Sequence, residues 1–136
     1  MIQPITSVYQ TFNQSKVDAY LAGRQSSLPI LAENLRSSNN EKEIVEDLYI
    51  FNRMIDDGIK DTKSMYPVLS RFNQTKSPAI QTFLAGIYRK LQIPDAFGPL
   101  VVMLIKNSIS PYQIGKFDPN EEIGGAILSY IEGGSR

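Results

Sequence analysis

Apolar residues return every three or four positions in two stretches of this chain, and the two stretches answer each other. Ile44, Leu48, Phe51 and Ile55 form one ladder, and Ile80, Leu84, Ile87 and Leu91 repeat it 36 positions later. That spacing places four side chains on one face of an α-helix. Each ladder also follows a start signal. "NEKE", Asn40 to Glu43, has the form of a capping box, and Ser77 before Pro78 is an N-cap with proline at the first helical position. The pattern predicts helices over 41–57 and 77–92.

Shorter amphipathic stretches precede both. In "SSLPILAENL" and "SMYPVLSRF", Pro29 and Pro67 each stand three residues after a serine. With Ser26 and Ser64 as N-caps, each proline falls at the third helical position, where its missing N–H has no intrahelical partner to lose. Pro99, followed by Leu100 and Val101, opens another short helix. "DPNEEIGGAILSYI" opens a last one, with Asp118 as cap, Pro119 first and Glu121 at the reciprocal capping position. The full set of predicted helices is 4–12, 14–24, 27–37, 41–57, 65–74, 77–92, 96–107 and 119–132. "LVVMLI", Leu100 to Ile105, also reads as a buried strand, but nothing else in the chain would pair with it. The expected fold class is all-α, with Leu31, Leu35, Ile44, Leu48, Phe51, Ile55, Val68, Leu69, Phe72, Ile80, Phe83, Leu84, Ile87, Leu91, Leu100, Met103 and Leu104 in the core.

Pairs of helices recurring at 36 to 38 residues, carried by Pro29/Pro67/Pro99, Leu31/Leu69 and the two ladders, resemble the helical-repeat proteins of the HEAT and armadillo type. The resemblance implies a short right-handed solenoid of antiparallel helix pairs, each pair covering the apolar flank of its neighbour. An irregular α-helical bundle is the alternative. Residues 1–132 would form one helical-repeat domain and 133–136 a flexible tail. HEAT-like proteins bind along the surface of their second helices, so the resemblance points to the side opposite the ladders. There stand Glu46, Arg53 and Asp57, with Tyr49 and Ile50 on the flanks of the first ladder helix, and Thr82, Ala85 and Arg89 on the second.

Composition narrows the chemistry. The 136 residues contain neither cysteine nor histidine, which removes disulfides, thiolate chemistry, the commonest general base and the commonest metal ligand. No cofactor is implied. The start of the chain lacks a basic, apolar leader, and its longest apolar run falls far short of the ~20 residues that span a bilayer. A cytoplasmic protein with no membrane contact is expected.

The net charge is zero but unevenly placed. Residues 1–57 carry five bases and eight acids, residues 58–116 eight bases and two acids, and residues 117–136 one base and four acids. A basic middle between acidic ends suits an acidic partner, or the acidic end of a second copy. Lys60, Lys63, Lys76, Arg89 and Lys90 are candidates for phosphate contacts. Against a nucleic-acid role stand a pI of about 6.3 and the lack of tryptophan, on whose like DNA-acting helical repeats stack bases.

Catalysis finds little support. Asp56/Asp57 and Glu121/Glu122 are adjacent in helices and point about 100° apart, while Glu43 and Asp47 share a face as a solvated, mildly repulsive pair. "DDGIKDTKS" lacks the spacing of a calcium loop. The expectation is a non-enzymatic protein-binding module, an adaptor, inhibitor or subunit, with nucleic-acid binding as the alternative. Tyr112, Ile114, Lys116 and Phe117 form a possible contact loop, and exposed residues of the C-terminal segment a possible homodimer surface. Gly124 and Gly125 inside a helix cost ~1 kcal/mol each unless another backbone approaches there.

Overall fold

The computed structural model describes residues 12–109 and 118–134. Among them the regular structure is helical, with no strand. Helix α1 spans Gln14–Gly23 and passes through a 3-10 turn, Arg24–Ser27, into α2, Leu28–Ser37. Next come α3, Glu41–Asp56, and α4, Thr62–Leu69, which closes in the 3-10 turn Ser70–Phe72. Helix α5 spans Pro78–Leu91, the 3-10 turn Pro94–Ala96 leads into α6, Phe97–Ile109, and α7 covers Asn120–Gly134. The "LVVMLI" run is helical, inside α6. Gly133 and Gly134 belong to α7 rather than to a tail. The helix expected over 4–12 and the loop residues Tyr112, Ile114, Lys116 and Phe117 lie outside the described residues.

Capping residues set most of these starts. Asn40 accepts the Glu43 N–H at 3.0 Å, and the reciprocal half of the box runs through Ser38, whose hydroxyl donates to Glu43 and accepts from the Asn40 N–H. Ser77 accepts the Ile80 N–H at 3.2 Å with Pro78 at the first helical position. Asp118 accepts the Asn120 N–H at 2.8 Å, so α7 begins one residue later than the pattern suggests.

The serine–proline symmetry does not hold. The cap of α4 is Asp61, whose carboxylate takes both the Ser64 N–H and the Ser64 hydroxyl. With the cap taken by Asp61, the helix starts a turn early and Pro67 sits inside it on the exposed side. Ser26 caps nothing; its hydroxyl donates to the Gly23 carbonyl, and Pro29 is the second residue of α2.

At its other end α3 is closed by Gly58, which takes a φ of 84° while the Gly58 and Ile59 N–H groups donate to the Ile55 and Met54 carbonyls. This is a Schellman motif, with buried Ile59 folded back onto the helix. Gly124 is the opposite case: a Cβ added there meets no atom within 4 Å. Chemical denaturation should therefore find Gly58→Ala less stable by about 1 kcal/mol and Gly124→Ala more stable by a similar amount.

The helices assemble around α5. Helix α3 lies along one side of it and α7 along the other, while α1 and α2 cover α3, and α6 covers α7. Contacts at both ends show that α3, α5 and α7 run in the same direction. Ser77 donates to Glu41 near the start of the α3/α5 seam, and Lys90 reaches Asn52 and Asp56 near its end. On the other seam Arg89 faces Glu122 and Gln92 donates to Ser129. The partners in these four hydrogen bonds stand 34 to 38 positions apart, close to the interval of the sequence ladders. Helix α6 runs against α7: Phe97 meets Tyr130, and Asn107 meets Asn120 at the far end.

Because α3 and α5 have neighbours on several sides, each buries a wider arc than one ladder. Val45, Ile50 and Met54 join Ile44, Leu48 and Phe51 in the core, and Ala85 and Tyr88 join Leu84 and Ile87. Of the residues expected in the core, Ile55, Leu91 and Leu104 are only half-buried against it, and the others are buried.

Candidate functional site

The strip left open on α5 is narrow. Thr82 is half-buried and Arg89 and Lys90 are exposed, whereas Gln81 and residues 83–88 are covered. Across this strip the three parallel helices form an open groove of about 530 Å³, lined from α3 by Asn52, from α5 by Thr82, Gly86, Arg89 and Lys90, and from α7 by Glu122 and Ser129. Gly86 makes its floor. A Cβ there would come within 3.3 Å of the Asn52 amide and 3.6 Å of the Glu122 carboxylate, so the missing side chain lets all three helices approach. Gly125 does the same for Arg89, whose guanidinium would lie 3.1 Å from an added Cβ. The close neighbour that favours glycine here is thus a side chain rather than a backbone.

The two cations of the groove are held differently. Lys90 is fixed on the α3 side by Asp56 at 2.7 Å and by the Asn52 amide oxygen. Arg89 faces Glu122 at 3.7 Å, a loose pair between half-exposed groups that adds little to stability. Arg53, one turn before the end of α3, is exposed and donates to the Tyr49 hydroxyl at 3.1 Å. Hydrogen bonding to Tyr49, together with the nearby acids, raises its pKa further, so it is a permanent cation.

The eight residues placed on the side opposite the ladders therefore divide. Arg53, Asp57, Thr82 and Arg89 reach the surface. Ile50 and Ala85 do not: both are fully buried, because the helices stacked beside α3 and α5 cover the flanks that a single-ladder reading leaves open. Glu46 and Tyr49 lie under the N-terminal side of the molecule. The Asn13 N–H donates to Glu46 at 2.7 Å, Lys16 reaches Glu46 at 2.8 Å, and the Phe12 ring stacks 4.7 Å from Tyr49.

The same cluster overturns the reading of Asp47 as a solvated acid. Its side chain is fully buried, with the Lys16 ammonium 3.0 Å away. That contact is an ion pair, and among the described residues neither carboxylate oxygen has a well-aligned hydrogen-bond partner. Burial pushes the Asp47 carboxyl above its usual range, against the pull of Lys16. For Lys16, burial acts downward, but the hydrogen bond to Glu46 and the attraction of the two carboxylates outweigh it and raise the ammonium to about 12. The sequence did carry a signal for this: Asp47, Ile50 and Met54 form a second stripe beside the first ladder.

Among the described residues no three acidic side chains gather to hold a metal ion, and no helix is long and apolar enough to cross a membrane. What the groove offers chemically is hydrogen bonding and ion pairing along a shallow, polar track. The fold and this track define an all-helical protein with a polar cleft along three parallel helices. Comparison with protein-family models, with curated proteins and with solved structures finds no match to this chain.

Proposed function

We propose that this chain is a non-catalytic protein-binding module, built as a short right-handed solenoid of antiparallel helix pairs of the HEAT-like kind, that holds a segment of another protein along its second helices. The observation that carries the reading is the track itself: α3, α5 and α7 lie parallel at a constant interval and leave one polar strip open. On that strip Arg89 is only loosely engaged, at 3.7 Å from Glu122, so a partner carboxylate can take its guanidinium without breaking a strong bond. Arg53 supplies a second cation on the same helix layer, and arginine is a favoured anchor at protein interfaces. An adaptor, an inhibitor or a complex subunit would use such a strip alike.

The test is affinity capture with the tagged full chain from cells that make it. The double variant Arg53→Ala/Arg89→Ala should lose the captured partner while keeping its melting temperature, since both side chains are exposed. Equal capture by the variant would reject the strip. Nucleic acid is the second outcome to examine, by mobility shift at two salt concentrations. A complex at low salt that dissolves at high salt would move the reading to phosphate binding. The acids beside Lys90 and Arg89 argue against that result.

A further inference from the structure

A second groove, of about 510 Å³, opens between the start of α5 and the end of α6, and shares no lining residue with the first. One wall is aliphatic. Val102 and Ile109 stand two turns apart on one stripe of α6, at 47% and 74% exposure, with Met103 beneath them. The opposite wall is the polar segment that follows α4, from Asn73 to Lys76. Lys76 and Lys106 flank the opening, both exposed, and among the described residues no acidic side chain lines it.

The floor of this groove is fixed by a chain of amides. Gln81, 3% exposed, donates to the Thr75 carbonyl at 2.9 Å and accepts from the Asn107 amide at 2.9 Å; that amide also donates to Asn120 at 2.9 Å. Asn73 accepts from the Tyr88 hydroxyl at 2.6 Å, and burial holds the Tyr88 phenol far above its ordinary pKa, so it remains a donor. Groups pinned in this way lose little further freedom when a ligand arrives. The site is therefore rigid at its base, greasy along one side and positive at its rim.

We propose that this groove is a docking site for an acidic, aliphatic-bearing segment of a protein partner. Its leucine- or isoleucine-like side chains would lie on Val102, Met103 and Ile109, and its carboxylates would meet Lys76 and Lys106. Charge complementarity selects this occupant. A basic or neutral apolar segment would bring no counter-charge to two lysines that have none in the groove, and a solvated polar segment would leave the α6 stripe bare.

The experiment is a selection of random dodecapeptides displayed on phage against the immobilised full chain, followed by fluorescence anisotropy with the enriched peptides. The expected result is enrichment of peptides with acids beside aliphatic residues. These should bind about tenfold more weakly to Lys76→Glu/Lys106→Glu, and weaken likewise with Val102→Asp, while circular dichroism shows all variants folded. They should bind Arg53→Ala/Arg89→Ala as they bind the unaltered protein, which separates this groove from the strip on the second helices. Failure to enrich, enrichment without acids, or indifference to the charge reversal would overturn the proposal. So would loss of binding in Arg53→Ala/Arg89→Ala, or displacement of the peptides by a single-stranded oligonucleotide.

Discussion

Lys16→Met is expected to destabilise the protein by about 3 kcal/mol at neutral pH, measured by urea unfolding. Removing one member of a buried ion pair costs roughly 3–5 kcal/mol because the survivor stays buried and uncompensated. The lower end applies here, since the Lys16 side chain is about a quarter exposed. Asp47 is the survivor, and no described residue donates a well-aligned hydrogen bond to it. The double variant Lys16→Met/Asp47→Leu should recover most of the loss, because the buried charge is then gone as well. No loss in the single variant, or no recovery in the double, would contradict this account of the pair.

The pH dependence has a definite sign. Lys16 holds its proton more tightly when folded, so its contribution is complete below the ordinary value of 10.5 and disappears as pH rises through about 12. The Lys16→Met protein should lack that alkaline loss. Asp47 also binds its proton more tightly when folded, so its ionised form costs stability above its raised pKa and the cost fades as pH falls. With Lys16 gone the carboxyl is raised further. The deficit of Lys16→Met relative to the unaltered protein should therefore narrow on acidification.

Arg71→Ala should cost about 2 kcal/mol. One guanidinium nitrogen donates to the Leu35 and Ser38 carbonyls at 2.7 and 2.8 Å, and another donates to the Asn39 amide oxygen at 2.7 Å. These acceptors sit at the C-terminal end of α2, where carbonyls lack helical partners and the dipole favours a cation. Charge-assisted bonds of this kind contribute more than neutral ones. The fork also packs over the Phe72 ring, 4.9 Å from its centre. Arg71→Lys should keep only a fraction of the effect, because a single ammonium cannot span all three acceptors. Urea midpoints falling in the order unaltered, lysine, alanine would support this; equal midpoints would refute it.

Much of the helix layout was legible in the sequence, because Asn40, Ser77 and Asp118 announce their helices chemically and the ladders on α3 and α5 repeat. The start of α4 differs for a local reason: the spacing to Pro67 points to Ser64 as the cap, whereas Asp61, which the pattern did not single out, takes that role. The breadth of burial was not legible from one ladder, since a helix flanked on three sides hides residues that a two-layer picture exposes. Ile50, Ala85 and Asp47 belong to that group. Of the open strip, Thr82 and Arg89 were found, but Asn52, Lys90 and Glu122 were not. They come from three separate segments, and only the 36-residue register, applied to polar positions as well as apolar ones, would have joined them.

The central place of α5 has a mechanical consequence. Among the described helices it packs extensively on both outer parallel helices, so it acts as a keystone: damage to its core loosens the whole arch at once. Injury to α1, which rests on one flank, should open that end first. In hydrogen exchange Lys16→Met should quicken the amides of α1 first, while those of α5 continue to report global opening. Two kinds of failure, one peripheral and one total, are thus written into which neighbours each segment has.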